Sequence, residues 1–479
     1  MNPTALEVDY LIIGAGAMGM AFADTLVAET DATVAIVDRY DQPGGHWTVA
    51  YPFVRLHQPS AFYGVNSIEL GSGAVDQDGW NAGMHELASA GEILTYLDQV
   101  MRRTLLPTGR VSYFPKSCYD GPDPQRPDVH RFHSTVSGAE FEVTVKRRTV
   151  DATYMNVTVP AMVAPTYEVA PGVRLITPNQ LPALQHQPSH YTVVGAGKTG
   201  IDACLWLLSR GTDPADITWI MPRDSWLLDR ANLQPGNSDG ETEAARREAV
   251  AGADTIQELF TRLEDRGLLL RLSPDVEPTA YRCATVARAE LDQLRRIGDI
   301  VRHGRVKRID ETAVELDQAT IPAQAGTLYI DCTADGLERR PKVPVFDRAR
   351  ITLQAVIPCQ QVFSAAVTAH VEASYADDDT KNALCAPSQH PDSALDWIRS
   401  FGDIQERIVQ WTADPALVEW LRTCRLLGRR LPELSPEQRT ALLPVFQAQK
   451  LKLEDLLHQA PRAPRSPTSR PGHSSPWPA

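Results

Sequence analysis

Apolar positions along this chain follow two rhythms, and each change of rhythm marks an element. Residues 8–13 form a short, mostly apolar run ending at Gly14, as a strand buried on both faces requires. Residues 17–29 then read as a helix, and 33–37 as a second short strand closed by Asp38. Together they predict one βαβ unit of about 30 residues. Residues 40–80 are loop-like, rich in Gly, Pro and aromatic side chains. Residues 91–103 predict a helix with Ile93, Leu94, Leu97, Val100 and Met101 on one face. Alternation across 110–150 predicts a small antiparallel sheet.

The same pattern recurs after a Pro-rich connector at 178–188. A strand over 191–195, a helix over 198–209 and a strand over 217–221 predict a second βαβ unit. Residues 241–269 read as a charged helix, 305–331 as strands, and 393–457 as mainly helical. From Pro461 onward Pro, Ser and Arg dominate, which predicts a disordered tail dispensable for folding.

A length of 479 residues implies two or three domains. The net charge of −13 argues against general affinity for nucleic acid or an anionic membrane surface. The first residues carry no signal-peptide pattern, and the most apolar stretch, 10–28, is Gly-rich and broken by Asp24. A cytoplasmic protein without a membrane span is expected. Seven dispersed cysteines with no CxxC pair predict unpaired buried thiols and argue against a dithiol active site.

Gly14, Gly16 and Gly19 form GxGxxG between a strand and a helix. This spacing gives a tight turn, backbone access for a pyrophosphate and close helix–strand packing. The helix N-terminus offers free N–H groups to the anion. Asp38, with Arg39 beside it, ends the next strand, where a carboxylate accepts hydrogen bonds from a ribose. Gly195, Gly197, Lys198, Thr199 and Gly200 repeat the arrangement. There the partner strand leads to Arg223, a cation suited to the 2′-phosphate of NADPH.

With two such motifs, the chain resembles the two-dinucleotide-binding-domain flavoproteins, and among them the flavin-containing and Baeyer–Villiger monooxygenases. The resemblance includes Gly44-Gly45-His46-Trp47, similar to a GGxW segment that wraps FAD, and Tyr51-Pro52-Phe53-Val54-Arg55, similar to YPxxR. It continues through Pro59-Ser60, Tyr63, the Glu92 helix, and two crossovers at Val150-Asp151-Ala152-Thr153 and Asp331-Cys332-Thr333. Three features depart from that family. The FxGxxxHxxxW fingerprint is missing before the second glycine motif, Tyr154 stands where glycine is usual, and Arg55-Leu56-His57 replaces RxD.

The resemblance implies an α/β fold with two Rossmann-like domains, for FAD and NADPH, a helical C-terminal region and a disordered tail. The expected spans are 1–165 and 301–375 for the FAD-binding domain, and 185–300 for the NADPH-binding domain. The helical region is expected over 376–460 and the tail over 461–479. The resemblance also implies an FAD- and NADPH-dependent oxidoreductase that transfers oxygen from O2 to a small organic substrate. The alternatives are a reductase that leaves O2 unused and a non-catalytic flavin-binding regulator. Gly45, Trp47 and Thr153 join the cofactor-binding set, and Arg55 and His57 are the catalytic candidates beside the flavin. No metal is expected, since His46 and His85 lack ligand spacing. The C-terminal helices suit a lid, a homodimer surface or a packing layer, and sequence does not choose between them.

Overall fold

The computed structural model describes residues 3–236, 239–336, 338–428 and 435–459. The strand β1 (Thr4–Ile13) runs into helix α1 (Ala17–Glu29) and back to β2 (Val34–Val37), as the pattern predicts. Helix α2 (Ala90–Val100) opens at a capping box in which Ser89 and Glu92 satisfy each other's backbone N–H groups. The strands β3 (Val111–Phe114), β4 (Ser117–Pro122), β5 (Val129–Ser134) and β6 (Glu140–Asp151) follow.

The 110–150 segment departs from a simple antiparallel sheet. β4 and β5 pair antiparallel and β5 pairs antiparallel with β6, whereas β3 lies parallel to β2. β6, at 12 residues, is long enough to serve both arrangements, and it also lies parallel to β1 from Thr4 to Ile13. Alternation reveals a strand but not the direction of its partner.

The second unit repeats the first. β7 (His190–Val194), α3 (Lys198–Ser209) and β8 (Ile217–Ile220) are followed by β9 (Ala280–Val286), β10 (Asp299–Val301) and β11 (Thr327–Asp331). The parallel order β11-β7-β8-β10 reproduces the order β6-β1-β2-β3 of the first sheet. Because β10 and β11 both belong to the second sheet, the chain does not return to the first sheet at residue 301. It returns with the hairpin of Phe346–Asp347 and Arg350–Thr352, the latter lying parallel to Thr149–Asp151 of β6. The predicted charged helix over 241–269 is two helices, Asp239–Gly252 and Ile256–Asp265, the second capped by Thr255.

Helix α4 (Gln361–Ser374) packs on α1 and is buried from Val362 through Ala369. Enclosure on all sides removes the polar face that would mark a helix in sequence. The C-terminal region contains α5 (Ala394–Thr412), Pro415–Thr423 and Pro436–Gln459. Trp411, Leu417 and Leu421 join the core of the first unit, so part of this region is a packing layer. Arg425 strengthens it by donating to the carbonyls of Ala61, Tyr63, Val65 and Ile68. The predicted tail from Pro461 lies outside the described residues. No described helix is long and apolar enough to cross a membrane.

Candidate functional site

Each unit builds the same turn from distant parts of the chain. Gly14 has φ +101° and Gly195 has φ +121°, a region that favours glycine. Behind Gly14 stand Ala152 and Thr153, and behind Gly195 stands the Cys332 carbonyl. A side chain at Gly19 would place its Cβ 2.0 Å from the Gly14 carbonyl, and one at Gly200 would lie 2.1 Å from that of Gly195. In both crossovers an aspartate folds over a threonine two residues on. Thr153 donates N–H (2.9 Å) and O–H (2.7 Å) to Asp151, and Thr333 donates N–H (3.2 Å) and O–H (2.6 Å) to Asp331.

Helices α1 and α3 begin at Gly16 and Gly197 with no side-chain cap and no acidic residue in the first turn. By contrast α2, α5 and Pro415–Thr423 are capped by Ser89, Ser393 and Asp414. Free N–H groups at an uncapped N-terminus attract an anion, so both turns fit a pyrophosphate. A Cβ on Gly197 would meet nothing within 4 Å, and one on Gly16 would meet only the Gly45 Cα, at 3.7 Å. Gly45 therefore faces the first turn, with Trp47 buried and donating to the Tyr63 hydroxyl at 2.6 Å.

Asp38 is buried and accepts backbone N–H bonds from Ala15 and from Tyr40, the latter at 2.7 Å. Burial pushes its carboxyl above the ordinary value despite those bonds. Arg39 lies over the Tyr40 ring at 5.0 Å. Lys198 pairs with Asp202, which also accepts from the Tyr51 hydroxyl at 2.7 Å. Thr199 opens α3 beside Lys198.

The two catalytic candidates have different neighbours. Arg55 is exposed and donates to the Leu87 carbonyl at 3.1 Å, beside the start of α2. His57 faces the second unit, where its Nδ1 accepts from the Thr285 N–H at 3.3 Å and its carbonyl accepts from Arg230 at 3.0 Å. Burial, with Lys198 and Arg230 nearby, lowers its pKa to about 3. With Nδ1 accepting, the neutral ring carries its proton on Nε2 and presents a donor there.

Arg223 shares a carboxylate. Its guanidinium lies 2.9 Å from Asp392, which also accepts from Arg282 at 2.6 Å. Arg282 also pairs with Asp335 at 3.3 Å, so two arginines and two aspartates form a balanced chain in which Arg223 is the terminal cation. Asp392 and Arg282 carried no sequence signal, because neither lies in a glycine-motif unit's βαβ segment. Tyr154, in the usual glycine position, donates to the Pro341 carbonyl at 2.7 Å, with Arg340 5.3 Å from its ring centre.

The expectation of unpaired thiols is overturned. Cys283 and Cys359 form a disulfide across 76 residues, while Cys118, Cys204, Cys332, Cys385 and Cys424 are free. Spacing rules detect only local pairs, and these two meet through the fold.

The uncharacterized protein Rv2000 of Mycobacterium tuberculosis is 54% identical over 450 residues, covering 92% of this chain and 82% of that protein. The chain belongs to the same family. A family member in Mycobacterium bovis, the uncharacterized protein Mb2023, matches to the same extent. Within the family's N-terminal unit, residues 12–63 match the NAD(P)-binding Rossmann-like domain. A ferredoxin–NADP reductase of Salinispora tropica is 33% identical over 92 residues, 19% of this chain and 28% of that protein. Among solved structures, oxidized steroid monooxygenase bound to NADP is similar at 14% identity, covering 95% of this chain and 98% of that one, with TM-score 0.49. A flavin-containing monooxygenase from Stenotrophomonas maltophilia is 16% identical, covering 73% and 86%, with TM-score 0.42.

Proposed function

We propose that this protein is an FAD- and NADPH-dependent oxidoreductase, and specifically a monooxygenase acting on a small organic substrate. The duplicated turn carries the reading: two uncapped helix N-termini, each behind a positive-φ glycine and backed by an Asp–Thr crossover. Two dinucleotides on one chain suit a cofactor that stays and a carrier that leaves. The first turn, with Gly14, Gly16, Gly19, Asp38, Gly45, Trp47 and Thr153, would hold FAD. The second, with Gly195, Gly197, Lys198, Thr199, Gly200 and Arg223, would hold NADPH. When bound, FAD supplies hydride acceptance from NADPH and electron delivery to O2.

The residues of this chain orient and shield. Tyr51 and Asp202 fix the loop of the first unit against α3 of the second. His57 offers an Nε2 donor to negative charge developing on a bound group. We assign Arg55 a supporting role at the start of α2. A soluble cytoplasmic location fits the composition.

The ferredoxin–NADP reductase similarity favours a second reading, a reductase that passes electrons to an acceptor other than O2. One experiment separates the two: record the flavin spectrum of the purified protein, then follow NADPH oxidation with and without O2. A protein that stays colourless after FAD reconstitution overturns both readings.

A further inference from the structure

Cys283, Cys359 and His390 lie together outside the glycine-motif turns, with one ligand atom from each within 4.8 Å of the others. Cys283 belongs to β9 of the second unit, and Cys359 belongs to the turn that precedes α4 of the first. Their disulfide is therefore a covalent link between the units. Both residues hold left-handed backbone, with φ +55° at Cys283 and +65° at Cys359, which side-chain-bearing residues rarely adopt. Pairing of β9 with Ser225–Asp229 shifts register between Tyr281 and Thr285, so Cys283 sits in a bulge that re-aims its side chain.

His390 Nε2 is 3.5 Å from the Cys359 sulfur. Each cysteine also adjoins a contact with the His57 loop. Thr285, two residues after Cys283, donates to His57 at 3.3 Å, and Gln360, next to Cys359, donates to Gln58 at 3.4 Å.

We propose that Cys283, Cys359 and His390 form a thiol–disulfide exchange site whose substrate is a low-molecular-weight thiol. The incoming thiol R–SH gives its proton to His390 Nε2, and its sulfur attacks Cys359 Sγ. The Cys283–Cys359 bond breaks, and the departing Cys283 sulfur takes a proton from His390. A second R–SH attacks the mixed disulfide, releasing R–S–S–R and the Cys359 thiol. The sum is Cys–S–S–Cys plus 2 R–SH giving two cysteine thiols plus R–S–S–R. Burial and Arg282 lower the His390 pKa to about 4, so the ring is neutral at physiological pH and, as a weak base, holds the thiol proton only transiently before passing it to the departing Cys283 sulfur. The Asp392 carboxylate opposes that lowering, and Arg339 adds to it. The reaction is independent of the proposed cofactors.

The test uses the full chain and glutathione. Air-oxidised protein, denatured and alkylated without reductant, should show five reactive thiols. Incubating native protein with glutathione should raise the count to seven without loss of the folded circular-dichroism signal. His390→Gln should slow that native reduction roughly tenfold or more and alter its pH profile, while leaving the five-thiol starting count unchanged. Seven thiols before any reduction would overturn the proposal. So would a bond that opens only when the chain unfolds, which marks a structural staple. An unchanged rate in His390→Gln removes the assigned proton role and overturns the site as stated. The wild-type measurement decides the matter even where a cysteine variant fails to fold.

Discussion

The Tyr51 hydroxyl donates to the Asp202 carboxylate at 2.7 Å, joining the loop after the first glycine motif to the helix of the second. Lys198 pairs with the same carboxylate, so one anion holds a loop, a helix and the second motif's lysine together. Phe53 extends the seam by packing against Trp206 at 5.3 Å between ring centres.

Tyr51→Phe should lower stability by about 1.5–3 kcal/mol, the usual cost of losing a hydrogen bond to a charged group. Urea denaturation of the two proteins checks this. A loss near zero would show that Lys198 alone satisfies Asp202.

Gly19→Ala should cost about 1–3 kcal/mol or more and abolish flavin retention, because the new Cβ meets the Gly14 carbonyl and pushes α1 off β1. Gly402→Ala is the control. It lies within α5, and a Cβ there meets nothing within 4 Å. That variant should be neutral or gain up to about 1 kcal/mol from helix propensity. Equal behaviour of the two would refute the packing argument.

Arg223→Ala should weaken NADPH about ten- to a hundredfold and leave NADH nearly unchanged, as expected when one charge-assisted contact to a phosphate is lost. Asp392→Asn should act in the opposite sense, since Arg223 then loses its carboxylate partner while Arg282 keeps Asp335. Equilibrium titration with each nucleotide checks both. Equal losses for NADPH and NADH in Arg223→Ala would show that the arginine does not read the 2′-phosphate.

Stability should fall on acidification from about pH 6.5 toward 4. Burial lowers His46 to about 4, His57 to about 3 and His390 to about 4, so the folded state holds these rings neutral where the unfolded chain protonates them. A depressed folded pKa contributes stability above the unfolded value, and that stability disappears as pH falls through the folded one. Melting temperature against pH should therefore slope less steeply in His390→Gln than in the wild type. Parallel slopes would show that His390 does not carry its share.

The two βαβ units were legible in the chain because each depends on residues within about 30 positions, where apolar runs, glycine spacing and a closing polar residue act together. Gly14 to Asp38 and Gly195 to Ile220 needed no distant partner to be recognised as strand, helix and strand. The crossovers at Asp151 and Asp331 were visible as motifs, but their matching Asp–Thr turns were not. Tertiary structure decided what lies between the units. It placed β10 and β11 in the second sheet, enclosed α4 on all sides, set Asp392 against Arg223 and brought Cys283 to Cys359 across 76 residues. Local periodicity records which face of a segment is buried, whereas these contacts arise from chain closure over long loops, which leaves no period in the sequence.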